Sequence, residues 1–151
     1  MITIEEFKKK QTSKTRLIGL DLGSKRIGIS ICDERQSIAT PFKTIVRINT
    51  SNLIKELKEI IKENNIKGIV IGNPVNMDGS SGSSAQSVKD ISINISKSID
   101  LPVFLWDERL STVGAFNLSS QLDVNISKKI KKIDENAAAF ILQGAIDYLN
   151  N

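Results

Sequence analysis

The stretch Arg16-Leu-Ile-Gly-Leu-Asp-Leu-Gly-Ser-Lys-Arg-Ile-Gly-Ile-Ser30 predicts a β-hairpin whose first strand ends on a carboxylate. Apolar residues dominate both arms, and Leu22-Gly-Ser-Lys25 between them has the composition of a turn. Asp21 therefore falls at the end of a buried strand, where a carboxylate needs a cation, a metal or hydrogen-bond donors. Two interpretations stay open at this point: an Asp that caps the turn by accepting from the following amides, and a metal ligand.

Composition indicates one ordinary globular domain. The 151 residues are 40% hydrophobic and 25% charged, with a formal net charge of +4. The charge permits an anionic partner without requiring one. No apolar run reaches the length of a membrane span or a signal core, and the single cysteine, Cys32, cannot form an internal disulfide. We therefore expect a cytoplasmic protein.

The absence of histidine narrows the chemistry. Imidazole cannot serve as base, acid or ligand, and the usual cysteine and histidine zinc sites are excluded. Any metal must be bound mainly by oxygen, which favours Mg²⁺ or Mn²⁺.

The pattern along the chain predicts an α/β fold. Residues 1–14 are interpreted as an N-terminal extension whose capping box, Thr3 to Glu6, starts a short helix that ends near Lys10. Residues 15–151 are interpreted as the domain, with three antiparallel strands followed by parallel strands and crossover helices that flank a mixed sheet.

Proline and helix-capping residues set the expected boundaries of the strands and helices. Pro41 indicates that the third strand is an edge strand or contains a bulge. Thr50 or Ser51 is expected to cap the next helix. Later elements are expected as strands at 67–72 and 101–106 and as helices starting near Ser84, Ser111 and Asp134.

Three acidic positions are predicted to meet beyond the carboxyl ends of the parallel strands, namely Asp21, the pair Asp107 and Glu108, and Asp134. Because successive strand residues face opposite sides, only one of the pair should enter the site, and we choose Glu108 because the chain leaves the strand there. The alternatives are a surface ion pair with Arg109 and a helix cap at Asp134.

Basic and glycine-rich segments flank these carboxylates. The loop 72–83 leads to a helix N-terminus but lacks a phosphate-loop signature, so a flexible connector is its default interpretation. Cations could form a positive rim around the acidic site for a polyanion, although a solvated face is the alternative. They are Lys25, Arg26, Arg109, Lys128, Lys129, Lys131 and Lys132.

Taken together, the motifs resemble those of the YqgF-type nucleases, bacterial proteins described as Holliday junction resolvases and as processing nucleases for the precursor of small-subunit ribosomal RNA. The resemblance spans about residues 16–149. It is carried by Gly19-Leu-Asp21-Leu-Gly23 with Arg26-Ile-Gly28, Gly72-Asn-Pro74 with Asp78-Gly79 and Gly82, Asp107-Glu-Arg-Leu-Ser-Thr112, and Ile133-Asp134 with Ala137-Ala138 and Ile141-Leu142-Gln143.

The resemblance implies a ribonuclease-H-like fold and a two-metal nuclease. In it Asp21, Glu108 and Asp134 hold the ions and Asp107 assists. Arg26 and Arg109 either bind phosphate or form ion pairs with the carboxylates. The glycine loop, with Gly79 and Gly82, borders the nucleic-acid groove. The expected activity is processing of the ends of precursor 16S ribosomal RNA. The alternatives are a DNA junction resolvase on the same site and a nucleic-acid-binding factor that does not cleave.

The expected partner is accordingly nucleic acid, either structured RNA in a ribosome precursor or branched DNA. No membrane is involved, and the protein is a monomer or a homodimer.

Overall fold

The computed structural model describes residues 1–74, 78–79, 82–110 and 126–151, with the backbone alone described at 110 and 126–135. It is a three-layer α/β arrangement around one sheet. The elements are α1 (Ile4–Lys10), β1 (Arg16–Leu22), β2 (Arg26–Cys32), β3 (Ala39–Val46), α2 (Thr50–Asn64), β4 (Ile66–Asn73), α3 (Ser83–Ser98), β5 (Val103–Asp107), a 3₁₀ turn (Glu108–Leu110) and α4 (Ile126–Asn150).

The five strands form one mixed sheet in the order β3-β2-β1-β4-β5. The pairs β1–β2 and β2–β3 are antiparallel, whereas β1–β4 and β4–β5 are parallel, as the sequence predicts. The hairpin that contains Asp21 therefore supplies the central strand, and its carboxyl end lies beside the carboxyl ends of β4 and β5.

Each face of the sheet has its own apolar core. Ile18 and Leu20 of β1 pack with α2 and α3, whereas Leu17 belongs to the cluster on the face of α1 and α4. Strand alternation puts Gly19 and Asp21 on the same side as Leu17. Asp21 therefore lies on the face of the sheet that packs against α4.

Helix α4 lies unusually close to β1. A Cβ placed on Gly19 would lie 2.7 Å from Cβ of Leu142, and the Ser30 hydroxyl donates a 2.7 Å hydrogen bond to the carbonyl of Ala138. On the helix, the small residue at this close approach is Ala138, which is fully buried. Gly19 and Ser30 are the complementary small residues on the sheet.

Strand β3 is an edge strand with an irregularity at the proline, as predicted. Ser30 pairs with Pro41 and Ile29 with Lys43, so the register shifts between these two pairs. The extra residue, Phe42, is 43% exposed.

The first helix begins at the expected capping box. The Thr3 hydroxyl accepts a hydrogen bond from the Glu6 amide at 3.1 Å. Ile4 and Phe7 are buried, and the Phe7 ring lies 4.9 Å from that of Phe104. The segment at 4–10 thus packs against β5 on the side of α4.

Two predicted helix starts are wrong. The cap of α2 is Asn49, whose Oδ1 accepts from the Asn52 amide at 2.8 Å, not Thr50 or Ser51, which lie inside the helix. Helix α4 begins at Ile126, not near Asp134. No Gly or Pro interrupts 126–134, and its isoleucines and lysines extend the helix through the basic segment. Asp134 is therefore not a helix cap.

The helix predicted to begin at Ser111 falls outside the described residues. Within those residues, no helix is long and apolar enough to cross a bilayer.

Asn49→Ala should lower the free energy of unfolding by about 1 kcal/mol because the Asn52 amide loses its acceptor. Urea unfolding followed by circular dichroism measures the change. Ser51→Ala is the matched control and should change stability by less than about 0.5 kcal/mol. A larger loss from Ser51→Ala than from Asn49→Ala would contradict the assignment of the cap.

Candidate active site

The carboxyl ends of the three parallel strands bring Asp21 and Glu108 together. Leu20 pairs with Ile71, and Gly72 pairs with Trp106, so Gly72, one residue before the end of β4, lies between β1 and β5. Asp21 follows Leu20 on one side of this glycine, and Glu108 follows β5 on the other. The two carboxylates thus flank a residue without a side chain, Gly72, near the end of β4.

Strand alternation explains the orientation of Glu108. Phe104 and Trp106 are buried in the cluster on the α4 face, and Glu108 continues their every-second-residue spacing. The structure therefore places Glu108 on the expected side, at the first residue of the 3₁₀ turn, where the chain leaves β5.

Gly72 makes the space that Glu108 occupies. A Cβ on Gly72 would lie 3.1 Å from both Cγ and Cδ of Glu108, and 2.5 Å from Cδ1 of Ile141. This role of Gly72 was not predicted from the sequence. The available signal was a glycine at the end of a buried parallel strand, a position where another group often approaches the backbone closely.

The two carboxylates interact electrostatically. Burial, and after it the charges of Asp21 and Asp107, raise the pKa of Glu108 from 4.5 to about 7. Asp21 itself is partly buried and has an interaction partner. Two acids that disfavour each other's ionisation at one strand end form a donor set suited to a cation with oxygen preference.

Asp107 lies in a different environment from Asp21 and Glu108. Its two carboxylate oxygens accept from Nε of Arg109 at 3.0 and 2.9 Å, its Oδ2 also accepts from Nη2 at 2.6 Å, and its Oδ1 accepts from the Arg109 amide at 3.0 Å. These bonds lower the pKa of Asp107 below its ordinary value. The ion pair considered as an alternative is thus present. The role of Asp107 as a metal ligand stays a prediction, and these bonds argue against it.

Arg109 also connects the end of β5 to the glycine loop. A Cβ on Gly79 would lie 3.7 Å from Nη1 of Arg109, and the charge of Asp78 adds to the Asp107 contacts that raise the pKa of Arg109. Gly79 has φ of 88°, which glycine tolerates best. Gly82 is the residue that precedes α3, and no side-chain hydrogen bond caps that helix.

The turn after Asp21 is held by a residue that sequence analysis missed. Nη1 of Arg47 donates to the Gly23 carbonyl at 3.0 Å, and the Arg47 amide donates to the Lys25 carbonyl at 3.0 Å. Lys25 and Arg26 are both exposed on this turn. The basic segment 24–26 and Arg47 therefore lie next to the strand end that holds Asp21.

Helix α4 runs antiparallel to β1. Ala138 lies at Gly19, and Gln143 bonds the Ala39 amide near the opposite end of the sheet, so the helix heads towards the Asp21 end as its numbering falls. Asp134 precedes Ala138 by about one turn. The side chains of Asp134, Lys128, Lys129, Lys131 and Lys132 lie outside the described part of the structure. Among the side chains that are described, no three acidic or cysteine residues cluster as a metal site.

The fold places the chain in a structural class. A solved structure of Thermus thermophilus RuvC in complex with Holliday junction substrate matches with a TM-score of 0.55 at 10% identity, covering 89% of this chain and 94% of that one. A yeast mitochondrial Holliday junction resolvase matches with a TM-score of 0.51 at 12% identity, covering 97% and 84%. The fold is thus the ribonuclease-H-like fold of RuvC-type resolvases.

The chain belongs to the RuvX family, described as "Holliday junction resolvase", whose model matches residues 15–148. A Pelagibacter ubique protein named "Putative pre-16S rRNA nuclease" is 79% identical over 151 residues, the full length of both chains. A Rhodobacter capsulatus protein of the same name is 45% identical over 133 residues, 88% of this chain and 84% of that one. The resemblance noted from the motifs is therefore confirmed.

Gly72→Ala should displace the carboxyl group of Glu108 and the side chain of Ile141. We expect a loss of about 1–3 kcal/mol in the free energy of unfolding and a further drop of at least about tenfold in nuclease activity. Gly68→Ala is the control, because its Cβ would meet Leu17 at 2.8 Å on the same strand face without touching a carboxylate. Equal activity losses in the two variants at matched folded fraction would contradict this role of Gly72.

Glu108→Gln should raise the free energy of unfolding at pH 8 in EDTA by on the order of 1–3 kcal/mol. The raised pKa means that ionising Glu108 costs folded-state stability, so wild type loses stability as the pH rises from 4.5 to about 7. The amide variant lacks this loss, and its advantage should disappear near pH 4. Denaturant titrations across this range measure it, with the exposed Glu34→Gln as control.

Proposed function

We propose that this protein is a metal-dependent nuclease that processes the ends of precursor 16S ribosomal RNA. The observation that carries the proposal is the placement of Glu108 and Asp21 on the two sides of Gly72, at the strand ends of a ribonuclease-H-like sheet. The names of the full-length relatives support the RNA substrate. Such a substrate also agrees with the cytoplasmic location expected from the sequence.

The residues present fit a divalent cation such as Mg²⁺ or Mn²⁺. Asp21 and Glu108 offer carboxylate oxygens, and the high pKa of Glu108 reflects a position where positive charge is needed for both to ionise together. We propose Asp134 as the third ligand, because α4 leads towards this strand end and no histidine is available. Bound in pairs, such ions supply a water nucleophile at neutral pH and stabilise the departing oxygen.

The chain's own residues would bind and orient the phosphodiester. Gly72 keeps the strand end open beside the carboxylates, and the exposed cations Lys25 and Arg26 lie on the adjacent turn. Arg109, fixed by Asp107, would approach the strand from the side of the glycine loop. We propose that Gly79, Gly82 and the lysines at 128, 129, 131 and 132 border the same path.

A DNA junction resolvase is the second candidate, and the family description favours it. The metal chemistry would be the same, so substrate shape must separate the two. A resolvase that cuts two strands symmetrically should act as a two-fold dimer. A monomer that trims RNA ends and leaves a four-way junction intact would exclude it.

Asp21→Asn should abolish cleavage while leaving RNA binding within about threefold of wild type, because one ligand oxygen is lost but the cationic surface stays. Purified protein is incubated with a precursor 16S RNA fragment and with a four-way DNA junction, in Mn²⁺ and in EDTA. Shortened RNA ends only with wild type and Mn²⁺ would support the proposal.

Asp100→Asn is the matched control, since this exposed carboxylate lies before β5 at the opposite end of the sheet. It should cleave as wild type does. Paired nicks in the junction alone would favour the resolvase. Binding without cleavage by any variant would favour the non-cleaving factor, and the nuclease proposal would be wrong.

A further inference from the structure

Two exposed aliphatic side chains lie beside the proposed active site, next to three cationic residues. Val46 is 69% exposed and Ile48 70% exposed, at the outer end of the edge strand β3. Lys25, Arg26 and Arg47 are next to them in the sheet. We name these five residues the β3 rim.

Arg26 and Val46 of the β3 rim lie on the same face of the sheet as Asp21. Asp21 pairs with Gly28, which pairs with Thr44, and paired residues share a face. Arg26 and Val46, two residues from Gly28 and Thr44 along their strands, also pair with each other and so lie on this face. Strand spacing puts Val46 within about 12 Å of Asp21, across two strands and one pleat.

Arg47 fixes the rim to the active-site turn. Its amide and its guanidinium bond the carbonyls of Lys25 and Gly23, so residues 46–48 follow the turn that begins at Asp21. A strand of nucleic acid that reaches Asp21 from this side must pass over these residues.

The charge of the region points to a polyanion. Residues 22–32 and 37–55 contain no Asp or Glu at all. Three cations on one edge of these two segments attract phosphates through counterion release. Two aliphatic side chains are also far too little area for a stable protein interface, which buries roughly 800 Å² on each partner.

We propose that the β3 rim binds unpaired nucleotides of the substrate strand next to the scissile bond. Lys25 and Arg47 contact phosphates, and Val46 and Ile48 pack against bases or riboses. The faces of bases are apolar and become accessible only in a single strand, whereas a duplex presents phosphates and sugars. The inference rests on the proposed nuclease function and adds a substrate class to it: RNA with a single-stranded end.

The test measures binding separately from cleavage. Fluorescence anisotropy in EDTA follows the full-length chain with a labelled 12-nucleotide single-stranded RNA and with the same strand in a duplex. The double variant Val46→Ser and Ile48→Ser should lose about fivefold in affinity for the single strand and less than about twofold for the duplex. Ile48→Ser alone, outside the strand, tests the same surface if the double variant unfolds.

Matched controls come from the same strand and loop. Ile38→Ser removes an aliphatic side chain that is 63% exposed at the other end of β3 and should leave both affinities unchanged. Lys43→Gln, on the opposite face because Lys43 pairs with Ile29, should also have no effect. Lys25→Gln should weaken binding of both RNAs and reduce the salt slope by about one.

The outcomes separate the inference from the function on which it rests. Wild-type protein that binds neither RNA would overturn both. RNA binding that Val46→Ser and Ile48→Ser leave unchanged would overturn the inference alone, as would equal losses for single strand and duplex. A change in sedimentation with no change in RNA affinity would show that the rim contacts a second copy of the chain instead, and would also overturn it.

Discussion

The close contact of α4 with the sheet is the constraint on which the site depends. It requires a missing side chain at Gly19, a small hydroxyl at Ser30 and a small residue at Ala138. A β-carbon at Gly19 would force the helix outward, because Leu142 and the Ala138 carbonyl already occupy that space. Since the helix runs antiparallel to β1, this contact fixes how far its N-terminal half lies from the strand end that contains Asp21.

The face of the sheet that packs against α4 changes from apolar to acidic along the strands. The residues that stabilise the fold are therefore separate from those of the proposed site. Near the start of the strands this face carries Leu17, Val70 and Phe104, which are fully buried apolar residues. At the strand ends the equivalent positions carry Asp21, Gly72 and Glu108. Burial stabilises the apolar residues, but it raises the pKa of Glu108 at the strand ends. The site therefore retains two acids at a cost in folding free energy. A cation bound there would offset that cost.

Much of the fold follows from local sequence, because alternation and turn composition determine strands almost independently of context. The hairpin around Asp21, the edge strand with Pro41 and the mixed sheet were all predicted this way. The start of α2 was harder to predict from the sequence, because Asn49, Thr50 and Ser51 are all good helix caps. Only the backbone conformation selects among them. In the site, Asp21 and Glu108 were predictable as residues at strand ends. Arg47 was not, and Gly72 carried only the general signal of a glycine near the end of a buried strand, because both roles depend on contacts between elements distant in sequence.

The two sides of the site differ in how their charges are arranged. On the β5 side, Asp107 binds Arg109 through both oxygens, which fixes the guanidinium and partly neutralises it. On the β3 side, the carbonyls of Gly23 and Lys25 hold Arg47, and backbone carbonyls leave its full charge in place. Arg47 therefore keeps more of its attraction for phosphate than Arg109 does, and the aliphatic pair Val46 and Ile48 also lies exposed on the β3 side. If the proposed function holds, this asymmetry would orient a bound strand across Asp21 with its unpaired part towards β3.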